Sequence, residues 1–265
     1  MVYYLVMRRS HQQNRPNQKQ TSWQKVAPWY NSLVGSEGHY YHEHLILPNV
    51  KRLLQLSPNS TLLDIGCGQG VLAHSIDTIK RYQGIDAAPT LIQHARQSIT
   101  IPDYSFTVAD ATNALPVKNS FSIATMILFL QNMSSAEAVI KNASKALDPK
   151  GTLLIVLNHP AFRIPRQSGW KVDERTKQQS RWINRYNSPL EIPIQMTPGR
   201  NTEKVTWSYH HSLQDYAKML KDAGFVITDL EEWSSDKESV GKAAKMENRA
   251  RSEFPLFLCI VAQKN

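Results

Sequence analysis

Three glycines at alternate positions, Gly66, Gly68 and Gly70, follow an acid set in an apolar run: Leu62-Leu63-Asp64-Ile65-Gly66-Cys67-Gly68-Gln69-Gly70. Glycine is needed where the backbone turns tightly or lets a ligand come close, since a Cβ would clash there. Thr61 to Ile65 has the composition of a buried parallel strand, and Val71 to Ile76 that of a helix. Strand, glycine turn and helix together form a cofactor cradle in doubly wound α/β folds. A second acid, Asp86, ends the run Tyr82-Gln83-Gly84-Ile85-Asp86 about 20 residues further on, where such folds recognise ribose. A carboxylate there accepts hydrogen bonds from both ribose hydroxyls. A third, Asp110, closes Tyr104-Ser105-Phe106-Thr107-Val108-Ala109. One acid at a strand end is usually a helix cap; three in succession beside a glycine loop point to a ligand. His159, after the apolar run Thr152 to Leu157, is the candidate general base, because imidazole titrates near neutrality. The competing reading is a structural histidine. His210 and His211 are weaker candidates.

The elements that must hold these groups read as alternating strands and helices. Leu45 to Leu56 has helical spacing and is broken by Pro58-Asn59-Ser60. Thr90 to Ser98 is a helix after Pro89, Phe121 to Leu128 a fourth strand and Ala136 to Leu147 the next helix. Asp148-Pro149-Lys150-Gly151 is a turn, and Thr152 to Leu157 the fifth strand. Leu213 to Ala223 is a helix closed by Gly224, Phe225 to Leu230 a sixth strand and Leu256 to Ala262 a seventh.

The spacing Gly66-x-Gly68-x-Gly70 with Asp64 upstream differs from the dinucleotide pattern G-x-G-x-x-G. It resembles motif I of the class I S-adenosylmethionine-dependent methyltransferases, and in particular the ubiquinone/menaquinone-biosynthesis type. The Leu147-Asp148-Pro149-Lys150-Gly151 turn before strand five and Asp222-Ala223-Gly224-Phe225 before strand six are further family-like phrases. The resemblance covers residues from about 40 to 265. It implies a Rossmann-like, doubly wound, seven-stranded α/β sheet whose seventh strand is antiparallel, with S-adenosyl-L-methionine as cofactor. Asp64, Gly66, Gly68, Gly70 and Asp86 then hold the cofactor, Asp110 resembles the residue that meets the adenine amino group, and Ala111 donates from its backbone. An N-terminal helix closes over the cofactor in that type. Tyr40, Tyr41 and His42 therefore either line the site or pack that helix on the sheet. Ser122 stands where many members carry an acid early in strand four.

Residues 159–204 depart from the plan. They carry Trp170, Trp182, Tyr186 and many basic residues, and their prolines preclude a long helix. An insertion at the carboxyl edge of the sheet is where ligands bind in such folds, so it reads as a substrate cover; a surface elaboration or a dimer contact is the alternative. Residues 1–25 read as a disordered basic tail and 26–265 as the catalytic domain. The apolar run Val2 to Met7 is far too short to span a membrane. With 31 basic and 22 acidic residues, the formal charge is +9. That permits contact with RNA through the tail and the insertion but says nothing of the fold. Cys67 and Cys259 form neither a disulfide framework nor a zinc site, which fits a reducing cytoplasm, and no metal is expected. The chain lacks an Asn/Asp-Pro-Pro-Tyr after strand four, Leu130-Gln131-Asn132-Met133 standing there, and lacks a placed nucleophilic cysteine. Both absences argue against methylation of exocyclic base amines or of pyrimidine C5. The expected function is methyl transfer to a small-molecule acceptor, with RNA methylation second and a non-catalytic cofactor-binding assembly protein third.

Overall fold

The computed structural model describes residues 39–195 and 205–265. The tail at 1–25, the stretch Trp29 to Gly35 and the end of the insertion at 196–204 lie outside the described residues. The first element of the described residues is a π-helical turn, His42–Ile46, which runs directly into α1 (Leu47–Leu54). The units that follow are β1 (Thr61–Ile65), α2 (Val71–Ser75), β2 (Arg81–Asp86), α3 (Pro89–Ser98), β3 (Tyr104–Val108) and β4 (Phe121–Ile127). After β4 come a 3-10 turn (Leu130–Asn132), α4 (Ala136–Ala146) and β5 (Leu147–Asn158). The seven-stranded sheet is completed by β10 (Phe225–Trp233) and β11 (Phe257–Lys264), in the order β10-β11-β5-β4-β1-β2-β3. β11 runs antiparallel to both neighbours, and the remaining neighbours pair in parallel. The expected architecture is therefore present, including its antiparallel seventh strand.

Alternate residues of the central strands serve opposite faces, as the period of two requires. Leu62, Leu154 and Val156 join α1, α2 and α3 in one core, while Leu63, Leu153 and Ile155 join α4 and α5 (Leu213–Asp222) in the other. One turn signal behaves differently from the expectation. The Asp148 to Gly151 turn does not precede β5 but sits inside it as an irregularity, with Lys150 at φ 63° and pairing resuming at Ile123 and Thr152. Ser122, standing where many members of the resembled family carry an acid, exchanges bonds with Thr61: its N–H donates to Thr61 Oγ1 (2.8 Å) and its Oγ accepts from the Thr61 N–H (3.0 Å). The two hydroxyl residues pin β1 to the start of β4.

The insertion is built of strands. β6 (Ser168–Asp173) and β7 (Gln178–Ile183) form one antiparallel pair, β8 (Leu190–Gln195) and β9 (Val205–His210) another. The first pair leans on α6 (Ala244–Glu253), where Trp170 meets Phe254 edge-on at 5.3 Å. The second packs beside the 3-10 turn that follows β4.

Candidate active site

The glycine loop places its backbone where side chains would not fit, and each glycine answers to a different neighbour. Gly66 lies at φ +79°, and a Cβ there would run into the ring of Phe129. At Gly68, φ +56°, a Cβ would meet no protein atom within 4 Å. The loop thus presents bare backbone to open space at Gly68, the geometry of a ligand cradle. Gly70 lies instead against Ile99 (2.6 Å to Cδ1 from its ideal Cβ) and Phe106, so it lets the loop close on α3 and β3.

Asp64 is buried between strands. Tyr82 Oη donates to its Oδ2 (2.6 Å) and Thr125 Oγ1 to its Oδ1 (2.8 Å). Burial raises its pKa to about 6, against the lowering effect of these two donors, while the charge of Asp86 raises it further. Asp86 accepts from the N–H of Gly68 (3.0 Å) and of Ala88 (2.8 Å). Burial again raises its pKa and the backbone donors oppose this. A carboxylate has about four lone-pair sites, so both acids retain acceptor capacity after these bonds. Asp110 is exposed, with Oδ1 accepting from the N–H and hydroxyl of Thr112, and Ala111 beside it is buried.

A cavity of about 40 Å³ opens between the loop and the N-terminal turn, lined by His42, Leu47, Asp64, Gly66, Gly68 and Ile127 among others. His42 had two open readings, wall or packing residue, and it stands on this wall. Its Nδ1 is buried without a hydrogen-bond partner. Burial, helped by the charge of His39, lowers its pKa to about 4, so it is neutral at pH 7. A wider cleft of about 350 Å³ lies across Leu47, lined by Glu43, Lys51 and His74. It contacts none of the three strand-end acids and is not the site.

His159 is placed otherwise than a free base would be. Its Nε2 lies 2.6 Å from Glu232 Oε1, and its Nδ1 accepts from the N–H groups of Ala161 (3.2 Å) and Phe162 (3.3 Å). Nδ1 as acceptor fixes Nε2 as the protonated nitrogen, donating to Glu232. The ring is 1% exposed, and burial lowers its pKa against the raising effect of Glu232. Both nitrogens are thus engaged. His210 Nε2 is likewise committed, to the carbonyl of Tyr186 at 2.7 Å. Among the described residues no cluster of His, Cys, Asp or Glu could hold a metal ion. No helix of the described residues is long and apolar enough to cross a membrane.

A family model described as a methyltransferase domain matches residues 38–230. The chain belongs to the methyltransferase domain family. Methyl transfer from S-adenosylmethionine is the chemistry that membership assigns to the domain. This methyltransferase is 33% identical over 187 residues to an uncharacterised methyltransferase of Schizosaccharomyces pombe, covering 69% of the chain and 65% of that relative. It is 25% identical over 162 residues to a demethylmenaquinone methyltransferase of Chlamydia muridarum, covering 58% of the chain and 67% of the relative. The crystal structure of a putative S-adenosylmethionine-dependent methyltransferase from Listeria monocytogenes superposes with TM-score 0.62 at 23% identity, covering 81% of this chain and 97% of that one, a likeness of fold. The cradle at Gly68 suits the cofactor on its own evidence: bare backbone, strand-end carboxylates able to accept from hydroxyls and amines, and a neutral imidazole over the cavity.

Proposed function

We propose that this methyltransferase acts on a small-molecule acceptor seated at the carboxyl edge of the sheet, between the N-terminal turn and the insertion. Bound S-adenosylmethionine supplies a methyl group on a sulfonium, which is already a good leaving group. In this reading Asp86 receives the ribose hydroxyls, and Asp110 and the backbone of Ala111 receive the adenine. Gly66, Gly68 and Gly70 bring the loop backbone close, while Asp64, lining the cavity, faces the methionyl end. Alignment of a nucleophile is the remaining task, and positioning alone supplies roughly 7–11 kcal/mol. We assign His159 to shaping the turn after β5 and not to proton abstraction, because Glu232 and two backbone amides occupy its nitrogens.

One observation carries the choice of a small acceptor: the insertion turns much of its positive charge inward or pairs it. Arg163 lies against the ring of Phe257, Arg181 donates to the carbonyl of Phe162 (2.7 Å), and Lys177 pairs with Glu174 (2.9 Å). Arg166, Lys171 and Arg175 remain exposed and support RNA as the second reading. Incubation with labelled S-adenosylmethionine and fractionated cell extract separates the two. Label is expected in small metabolites. Label in RNA, with salt-sensitive binding, would replace the proposal by the second reading. Intact S-adenosylhomocysteine affinity with no label in any fraction would leave a cofactor-binding protein without turnover.

A further inference from the structure

Arg163 is a half-buried cation with no ion-pair partner among the described residues. It lies in the turn after β5, its N–H donating to the carbonyl of His159 (2.8 Å). Its guanidinium is half-buried, 5.5 Å from the centroid of Phe257. Among the described residues no Asp or Glu lies within ion-pair distance of it. The acids of the neighbourhood are committed elsewhere. Glu232 takes His159 (2.6 Å), Asp236 accepts from Tyr40 Oη (3.0 Å), and Glu231 holds Arg52 and the indole N–H of Trp233. More positive charge surrounds it. Arg181 is close enough to act on Arg163 as a like charge, and Lys237 Nζ sits 4.1 Å from the ring of Tyr40 and 5.1 Å from that of Tyr41. Burial pulls the Arg163 pKa down, the Tyr41 hydroxyl acts against it, and Arg181 lowers it further. A guanidinium so placed stays charged, and a desolvated charge without a counter-ion is costly. A fold that keeps several cations around one aromatic wall, with no described acid paired to Arg163, is shaped for an incoming anion.

The wall adjoins the cofactor cavity. Ile127 lines that cavity and pairs with Val156 of β5, whose end, Asn158, pairs with Phe257 of β11. Phe257 therefore stands two strand spacings across and two residues along the sheet from Ile127, about 12 Å. Tyr41 bridges the gap from above, its ring 5.8 Å from Phe257 and its sequence neighbour His42 on the cavity wall. We infer that Arg163 grips an anionic group of the methyl acceptor, carboxylate or phosphate, with the acceptor's body against Tyr41 and Phe257 and its nucleophile toward the cavity. The acceptor is then a small organic acid or phosphate ester. The inference rests on the small-molecule reading and narrows it.

Arg163→Met and Arg163→Lys test it, with labelled S-adenosylmethionine and the small-molecule fraction of a cell extract. The labelled product of the unaltered enzyme is expected to be retained on an anion exchanger at pH 7. Phosphatase treatment that releases it marks a phosphate ester, and retention despite phosphatase marks a carboxylate. With the purified acceptor fraction, Arg163→Met is expected to raise KM by about 10- to 100-fold with a smaller effect on kcat. Arg163→Lys is expected to recover part of the loss, and calorimetry with S-adenosylhomocysteine to show unchanged affinity in both variants. A neutral or cationic product, or an unchanged KM in Arg163→Met, would overturn the inference while leaving small-molecule methylation standing. Loss of S-adenosylhomocysteine affinity in Arg163→Met would overturn it by assigning the arginine to the cofactor. Label confined to RNA or protein would remove the small-molecule reading and the inference with it.

Discussion

The two halves of the sheet's carboxyl edge are built from different materials. Over β1 and β2 the surface is backbone: three glycines, with the N–H of Gly68 and Ala88 anchoring the carboxylate of Asp86. Over β5 and β11 it is side chain, with Tyr41, Arg163, Phe257, Lys237 and the His159–Glu232 pair arriving from segments far apart in sequence. A backbone surface is fixed by local conformation and suits a ligand that never changes. A side-chain surface is redrawn by single substitutions and suits an acceptor that differs from one enzyme to the next.

The contrast can be broken most severely within the loop itself. Gly66→Ala should cost about 3 kcal/mol of stability, combining the clash with Phe129 and a positive φ, read as a fall in the denaturant midpoint. Gly68→Ala, with open space before it, should cost only about 1 kcal/mol, yet lower S-adenosylhomocysteine affinity tenfold or more. Equal stability losses in the two would show that the loop does not divide packing from binding.

Asp86→Ala should weaken cofactor binding by roughly 10- to 150-fold, the value of a charge-assisted hydrogen bond of about 1.5–3 kcal/mol. Calorimetry with S-adenosylhomocysteine checks it. An unchanged affinity would remove Asp86 from the proposed site.

The pH dependence of stability sharpens the comparison further, because Asp64 and His42 face one cavity with opposite slopes. Between its folded value of about 4 and its ordinary 6.5, His42 binds more proton in the unfolded chain, so its contribution to stability rises with pH. Asp64, raised from 3.8 to about 6, binds more proton when folded, so its contribution falls with pH over that window. The two nearly cancel in the unaltered protein. His42→Gln should leave the falling slope alone, a loss of about 2 kcal/mol between pH 4 and pH 6. Urea midpoints at pH 4 and 6 measure it; a flat profile in the variant would mean that Asp64 is not raised by burial, and a profile unchanged from the unaltered protein would mean that the imidazole is not held neutral.

The smallest effect is expected at His159. His159→Gln keeps a donor for Glu232 and should slow turnover less than tenfold. A general base would show about 10²–10⁴-fold, and a loss of that size would return His159 to the chemistry.

What the sequence disclosed follows the same division. The glycine spacing and the acids at the ends of β1, β2 and after β3 stand in short apolar runs, so local pattern sufficed to find the sheet and the loop, although Tyr82 and Thr125, which hold Asp64, come from other strands. Ser122 was legible only as a missing acid, since its bond with Thr61 joins residues far apart in the chain. The form of the insertion was legible only in part: prolines ruled out a long helix, but the two strand pairs depend on register, and the first on packing against α6, which begins beyond residue 240. For the same reason the sequence left His159 open between a general base and a structural histidine. Its partner Glu232 comes from β10, and nothing near position 159 announces it. Arg163 was visible only as one basic residue among many.

The π-helical turn at His42–Ile46 bears on how such an enzyme changes its substrate. A π turn holds one residue more than an α turn in the same axial length. Deleting one residue there would close it to an α turn of the same axial length, leaving α1 on the sheet and Tyr40 and Tyr41 on the faces they now hold. One codon lost at this turn would take a single side chain from the cavity wall around His42, and the glycine loop would be untouched.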